Sequence, residues 1–296
     1  MIALPESTLG AVFSLASALT WAVVSLLVRR ISGTLNSASI NALRTLGAGV
    51  LLLAAVLVLG GPASFDGIGL LAFALLAGSV VLSGSIGDTV FFESARFLGL
   101  ARAMTVSMTY PMFSAFLAAA YLEEPITPAL VAGSLLTLGG LAVIMSGRPS
   151  EPDRPGHLWL GLVTSQAASL CWAVGVIMLK VPLATVDATT AQAIRLPIAG
   201  LALFATPWVW SSLPTVRAAG LSLALMLGGL AVLTAGSSLL FVAGVKYAGV
   251  GVAAVLSSTA PMFALPLGTL FLGERMTRPA ALGTAMTVAG VAVLHF

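Results

Sequence analysis

Runs of about 20 apolar residues recur along the whole chain, and they constrain its fold more than any other feature. A hydrocarbon layer about 30 Å thick is crossed by a helix of about 20 residues. A helix can do this because it satisfies its own backbone hydrogen bonds without water. Ten such runs are read, at approximately 9–28, 38–59, 67–94, 101–122, 128–146, 158–179, 188–210, 217–244, 251–272 and 278–295. A membrane barrel would instead need segments of about 10 residues with alternating polarity, and these are absent. The expected fold class is all-α, a polytopic membrane protein of ten transmembrane helices. Composition removes the soluble alternative: 8% of residues are charged and 59% hydrophobic, whereas a soluble domain carries about 25% charged residues.

The most polar stretch is Gly147-Arg148-Pro149-Ser150-Glu151-Pro152-Asp153-Arg154-Pro155-Gly156. Its prolines and charges make it a linker. The organisation read from it is a first five-helix repeat at 1–147, a linker at 148–156 and a second repeat at 157–296. The two halves share residues in register. At an offset of 151, Gly10 falls on Gly161, Trp21 on Trp172 and Arg44 on Arg195; at 150, Gly99 falls on Gly249, Pro111-Met112-Phe113 on Pro261-Met262-Phe263, Glu124 on Glu274, and Gly133 on Gly283. From 97 to 145, 16 of 49 positions are identical between the copies, against roughly a tenth by chance for a biased composition.

Five spans per repeat is an odd number, so the second copy enters the membrane from the opposite side. The repeats are therefore inverted, related by a pseudo-two-fold axis in the membrane plane. That architecture characterises secondary transporters, in which exchanging the conformations of the two halves exchanges the open side.

The residues carrying the duplication are Trp21, Arg44, Pro111, Leu122-Glu123-Glu124-Pro125-Ile126-Thr127 and Gly133. The second copy has Trp172, Arg195, Pro261, Leu272-Gly273-Glu274-Arg275-Met276-Thr277 and Gly283. In this pattern the chain resembles the EamA family of the drug/metabolite transporter superfamily, over nearly its whole length and twice. The resemblance implies ten helices around a central cavity and transport of a metabolite, frequently export. The first copy departs from the family's Leu-Gly-Glu-Arg turn at Glu123 and Pro125, which puts a charge pair at that turn in question.

Ionisable groups inside spans are costly and mark candidate sites. Arg44 and Arg195 are candidates for attracting a carboxylate or phosphate; the alternative is snorkelling to headgroups. Asp88 has Ser238 as its repeat partner, so inverted symmetry does not require a charge there. It is a candidate for holding a substrate ammonium or a coupling proton, the alternative being a pair with Arg102 or Arg44. Glu93 and Arg96 are spaced for a surface pair. Ser17 and Trp21 with Ser14, and Trp172 with Ser165, Ser169 and the adjacent Gln166, form stripes readable as cavity wall or as helix packing. Both tryptophans fall near mid-membrane, away from an interfacial belt. Pro111 and Pro261 are expected helix kinks, with Tyr110 beside the first. The small residues Ala129/Gly133/Thr137 and Pro279/Gly283/Thr287 permit close helix contact, within a monomer or across a homodimer.

A single cysteine, Cys171, and two separated histidines, His157 and His295, offer no metal site. No cofactor is expected. No Gly-x-x-x-x-Gly-Lys-Ser/Thr loop supports a primary pump, and no basic run suggests nucleic acid. A membrane enzyme acting on lipids would need a cluster of carboxylates or histidines. The expectation is an alternating-access carrier, not an enzyme, for an amino acid or similar zwitterion, working as an exporter; a passive facilitator, or a carrier of drugs, sugars or nucleotide derivatives, is the alternative. The protein is expected in the plasma membrane, or the inner membrane of a Gram-negative cell, with the lipid bilayer, a small-molecule substrate and a coupling proton as partners. The N-terminus lacks a signal peptide's basic region, so its apolar run is read as a retained span. The side of the membrane reached after spans 1, 3, 5, 7 and 9 holds Arg29, Arg30, Arg96, Arg102, Arg148, Arg154, Arg217, Arg275 and Arg278, against Lys180 and Lys246 on the side of the termini. This bias predicts termini outside the cytoplasm.

Overall fold

The computed structural model describes residues 5–121, 127–146, 157–218, 220–274 and 277–293. Every regular element among them is a helix. The first repeat comprises α1 (Glu6–Ile31), α2 (Ser37–Leu59), α3 (Leu70–Val80) running through a π-helical turn (Val81–Gly87) into α4 (Asp88–Leu98), α5 (Leu100–Ser107), α6 (Tyr110–Tyr121) and α7 (Pro128–Ser146). The second comprises α8 (Leu158–Lys180), α9 (Ala188–Phe204), the short α10 (Pro207–Trp210) and α11 (Leu213–Ala218), α12 (Leu221–Ser257), α13 (Ala260–Leu272) and α14 (Arg278–Val293). Among the described residues, five helical stretches are individually long and apolar enough to span, namely α1, α2, α3–α4, α8 and α12. The other expected spans are shorter or interrupted helices.

The structure differs from expectation at the seventh span and at the two prolines. The helix of the seventh expected span ends at Phe204, and the chain bends by 77° into α10–α11. Thr206 is extended before Pro207, as the ring of a following proline demands. Trp208 and Trp210 are exposed on this bend. The eighth and ninth expected spans, 217–244 and 251–272, are separated as expected: α12 breaks at Gly249, where φ is 83° and ψ 163°. Its repeat partner Gly99 has φ 80° and ψ 162° between α4 and α5. The two glycines thus make the same turn in both copies, in a region open essentially only to glycine. Pro111 and Pro261 do not kink continuous helices. The chain has already broken at Met108–Thr109 and Ser258–Thr259, and each proline lies in the first turn of the next helix, where its missing N–H costs nothing.

The packing has two-fold character. α1 lies along α12, and correspondingly α8 lies along α3, the π turn and α4. The elements that pair across the axis are α2 with α9 and α7 with α14. At α2–α9, a Cβ on Gly49 would collide with Pro197, and one on the repeat-equivalent Gly200 with Leu46. At α7–α14, Gly140 abuts Thr287 and the repeat-equivalent Gly290 abuts Thr137. Such reciprocity is what a two-fold interface produces. It also places the small-residue stripes of spans five and ten inside one chain, against each other.

Between the start of α3 or α12 and the turn glycine, the two copies differ in length by one residue. α3 and α12 start in register at an offset of 151, Leu70 with Leu221, but Gly99 and Gly249 are 150 apart. One extra residue therefore lies between 70 and 99. The π turn at Val81–Gly87 accommodates it, since such a bulge is the way a helix absorbs an insertion, frequently at functional sites. Asn41 secures the loosened turn, donating to the carbonyls of Gly84 (2.8 Å) and Ser85 (3.3 Å) and to Thr89 Oγ1 (2.8 Å). Asp88 is the first residue after it. At the end of α8–α9, Asp187 caps α9 by accepting from Thr189 N and Thr190 N, both at 2.9 Å.

Candidate functional site

A cavity of about 150 Å³ lies at the two-fold interface, lined by both repeats. A cavity of that size accepts a molecule such as benzene. Its aromatic wall pairs Trp21 with its repeat equivalent Trp172, edge to face at 5.9 Å between centroids. Tyr110 meets Trp172 at 6.3 Å, and Phe91 and Phe92 back Trp21 at 5.8 and 5.9 Å.

The polar wall is also duplicated. Arg44, 1% exposed, donates to Asn41 Oδ1 at 2.8 Å and Thr234 Oγ1 at 3.2 Å, and forms an ion pair with Asp88 at 2.5 Å. Its guanidinium lies 4.7 Å from the Phe92 ring centroid and 5.4 Å from Trp21, a cation–π arrangement. The other oxygen of Asp88 accepts from Trp172 Nε1 at 2.9 Å. In the second repeat Arg195 donates to Gln192 Oε1 at 2.8 Å, Ser79 Oγ at 3.1 Å and Ser83 Oγ at 3.5 Å. Gln192 donates to the carbonyl of Ser238 at 2.8 Å. Among the described residues Arg195 has no anion within ion-pair distance. Arg44 and Asp88 cancel, so the cavity holds one unbalanced positive charge.

Of the residues expected from the sequence, Ser17, Trp21, Arg44, Asp88, Tyr110, Trp172 and Arg195 lie together on this wall. Gln166 does not: it accepts from Thr109 Oγ1 at 3.3 Å, in the packing between α8 and the α5–α6 break. The Ser17 hydroxyl donates to the Ser237 carbonyl at 3.0 Å and Tyr110 donates to that of Ala254 at 3.3 Å, so both tie helices together at the cavity edge. Of the two pairs considered for Asp88, the one with Arg44 forms. Glu93 and Arg96 pair at 3.2 Å, with Ser37 donating to the same carboxylate at 3.0 Å.

Sequence reading missed Asn41 and Gln192. They fall at an offset of 151, each three residues before its arginine, so the duplication itself was the available signal. It also missed the role of Glu274, whose carboxylate accepts from Leu100 N at 2.6 Å and Ala101 N at 3.4 Å, capping a helix of the other repeat. The turn at Glu123, Glu124 and Pro125 lies outside the described residues.

Comparison with known proteins agrees with this architecture. The family model described as the EamA-like transporter family matches residues 8–146 and again 159–296. Uncharacterized protein PA1977 of Pseudomonas aeruginosa is 34% identical over 147 residues, which is 50% of this chain and 49% of that protein. The chain thus spans about half the length of this curated relative. A solved crystal structure of a protein superposes with a TM-score of 0.65 at 19% identity, covering 97% of this chain and 95% of the other; it speaks for the fold.

Proposed function

The chain belongs to the EamA-like transporter family, and from that premise we propose that it is an alternating-access carrier of a small organic metabolite, an amino acid or similar zwitterion, acting as an exporter in the plasma membrane. The observation that carries the reading is the central cavity bounded by repeat-equivalent pairs: Trp21 with Trp172, Arg44 with Arg195, Ser83 with Thr234. Between inverted repeats, exchange of the two conformations presents one cavity to alternate sides without moving the bound solute far. Its volume favours a small solute. The aromatic wall suits an apolar side chain, Arg195 a carboxylate, and Asp88, 16% exposed, an ammonium group or a coupling proton.

The test is counterflow in proteoliposomes with labelled small amino acids. Accumulation of label against unlabelled substrate is expected, reduced at least tenfold by Trp21→Ala or Trp172→Ala in protein that still inserts. Passive equilibration without counterflow would instead make it a facilitator. Unchanged transport in both variants would remove the aromatic wall from the binding site.

A further inference from the structure

We propose that the substrate's carboxylate docks on Arg195 and Trp21, taking the place that Asp88 occupies against Arg44 and Trp172 in the other repeat, and that Ser238 keeps this place open. The inference rests on the carrier reading above and assigns the orientation and charge of its substrate.

The two arms share two guanidinium contacts and differ in a third, since Arg195 Nε donates to Ser79 Oγ whereas Arg44 Nε has no hydrogen-bond partner among the described residues. Arg44 reaches the amide oxygen of Asn41 and the hydroxyl of Thr234. Arg195 reaches the amide oxygen of Gln192 and the hydroxyl of Ser83. All three equivalences, 41 with 192, 44 with 195 and 83 with 234, hold at the offset of 151. In the first arm, Arg44 and the indole N–H of Trp172 converge on one carboxylate, that of Asp88. In the second arm the same two donors are Arg195 and Trp21. Trp21 Nε1 is buried and has no hydrogen-bond partner among the described residues. Arg195 is 94% buried, being 6% exposed, and its partners are neutral oxygens. The acceptor that would satisfy both is missing because the extra residue in the π turn sets Asp88 opposite Ser238 in the repeat. Ser238 supplies only a hydroxyl, which donates to the Ala235 carbonyl at 3.4 Å.

A buried guanidinium lacking an anion is a costly arrangement, and its planar fork matches a carboxylate in a bidentate way. Two independent donors whose repeat equivalents share a carboxylate define a carboxylate site. The ammonium of a zwitterion then faces Asp88 across the cavity. Ser238 becomes the specificity-determining residue, since an acidic side chain there would fill the site from within.

The experiment measures binding by tryptophan fluorescence on the purified full-length protein in detergent. The probes are acetate, benzoate and L-alanine, each compared with its amide (acetamide, benzamide, L-alaninamide). Carboxylates are expected to bind at least tenfold more tightly than amides in the wild type. Ser238→Asp is expected to abolish this preference. Ser238→Asn, of like bulk and no charge, is expected to retain it. If the Asp variant does not fold, Arg195→Gln serves instead and should also lose the preference. Equal affinity for acids and amides in the wild type, or a preference that survives in Ser238→Asp or Arg195→Gln, would overturn the proposal. Counterflow separates it from the carrier reading. Acid-selective binding without counterflow removes the carrier and keeps the site, whereas counterflow with no acid preference does the reverse.

Discussion

Replacing Asp88 by asparagine isolates the one ion pair inside the cavity wall. The substitution keeps the shape and the oxygen that accepts from Trp172 Nε1, and removes the charge that faces Arg44 at 2.5 Å. Arg44 would be left as a cation 1% exposed, with Asn41, Thr234 and two aromatic faces for company. Breaking a buried pair from one side costs about 3–5 kcal/mol. The amide oxygen stays with Trp172 Nε1, so the amide NH2, a donor, replaces the acceptor facing Arg44; with the cation–π contacts offsetting part of this, the expected loss is about 4 kcal/mol, or roughly a thousandfold in the unfolding equilibrium. Removing both charges, with Asp88→Asn and Arg44→Gln together, leaves no orphan ion and should recover at least half of that loss. The assay is unfolding of the detergent-solubilised protein by titration with a denaturing detergent, followed by circular dichroism, for the two single variants and the double. A single Asp88→Asn variant within about 1 kcal/mol of wild type, the range of a surface pair, would refute the assignment of a buried pair. The same variant tests coupling: if Asp88 carries the proton, pH-driven uphill transport is lost, and its survival would remove Asp88 from that role.

The repeat-equivalent glycines provide an internally controlled pair. A Cβ at Gly249 meets nothing within 4 Å, so Gly249→Ala should cost only the backbone strain of its positive φ, about 1–3 kcal/mol. At Gly99 the added Cβ would also come to 3.1 Å from Glu274 Oε1 and disturb the cap on Leu100, so thermal unfolding should show Gly99→Ala to be the more destabilised; equal losses would argue against the cap's contribution. The orientation expected from the arginine bias is checked by a C-terminal fusion to a reporter active only in the cytoplasm, where silence is expected and a strong signal would reverse the assignment.

The ten-run pattern and the duplication were legible because burial in lipid leaves the sequence few choices: spans must be apolar and long, and odd-numbered repeats must invert. Side-chain pairing was less legible. A tryptophan or arginine at mid-span can face lipid, a neighbour or a cavity, and periodicity alone does not choose among these. Asp88 thus had two candidate partners, and Gln166 was indistinguishable from a wall residue until α8 was docked against the α5–α6 break. The bend after Phe204 was not legible because hydropathy continues through Pro207-Trp208-Val209-Trp210.

The change of offset from 151 to 150 was visible as arithmetic, yet its meaning appears only with the π turn. An α-helix with one extra residue either shifts every side chain beyond it by about 100° or absorbs the residue locally. Val81–Gly87 absorbs it, so α4 and the turn at Gly99 match the second repeat at the offset of 150, and the polar layer around residue 88 is altered. Alternating access asks for symmetry in the scaffold, since each half must adopt the conformation of the other. On the proposed carrier reading, recognition of a solute with distinguishable ends asks for asymmetry in the wall. One inserted residue and one carboxylate among the differences between the copies are compatible with both demands: Gly49/Gly200, Gly99/Gly249 and Gly140/Gly290 keep the same close approaches and turns in both copies, while Asp88, with Ser238 as its repeat partner, makes the polar layer of the wall unequal.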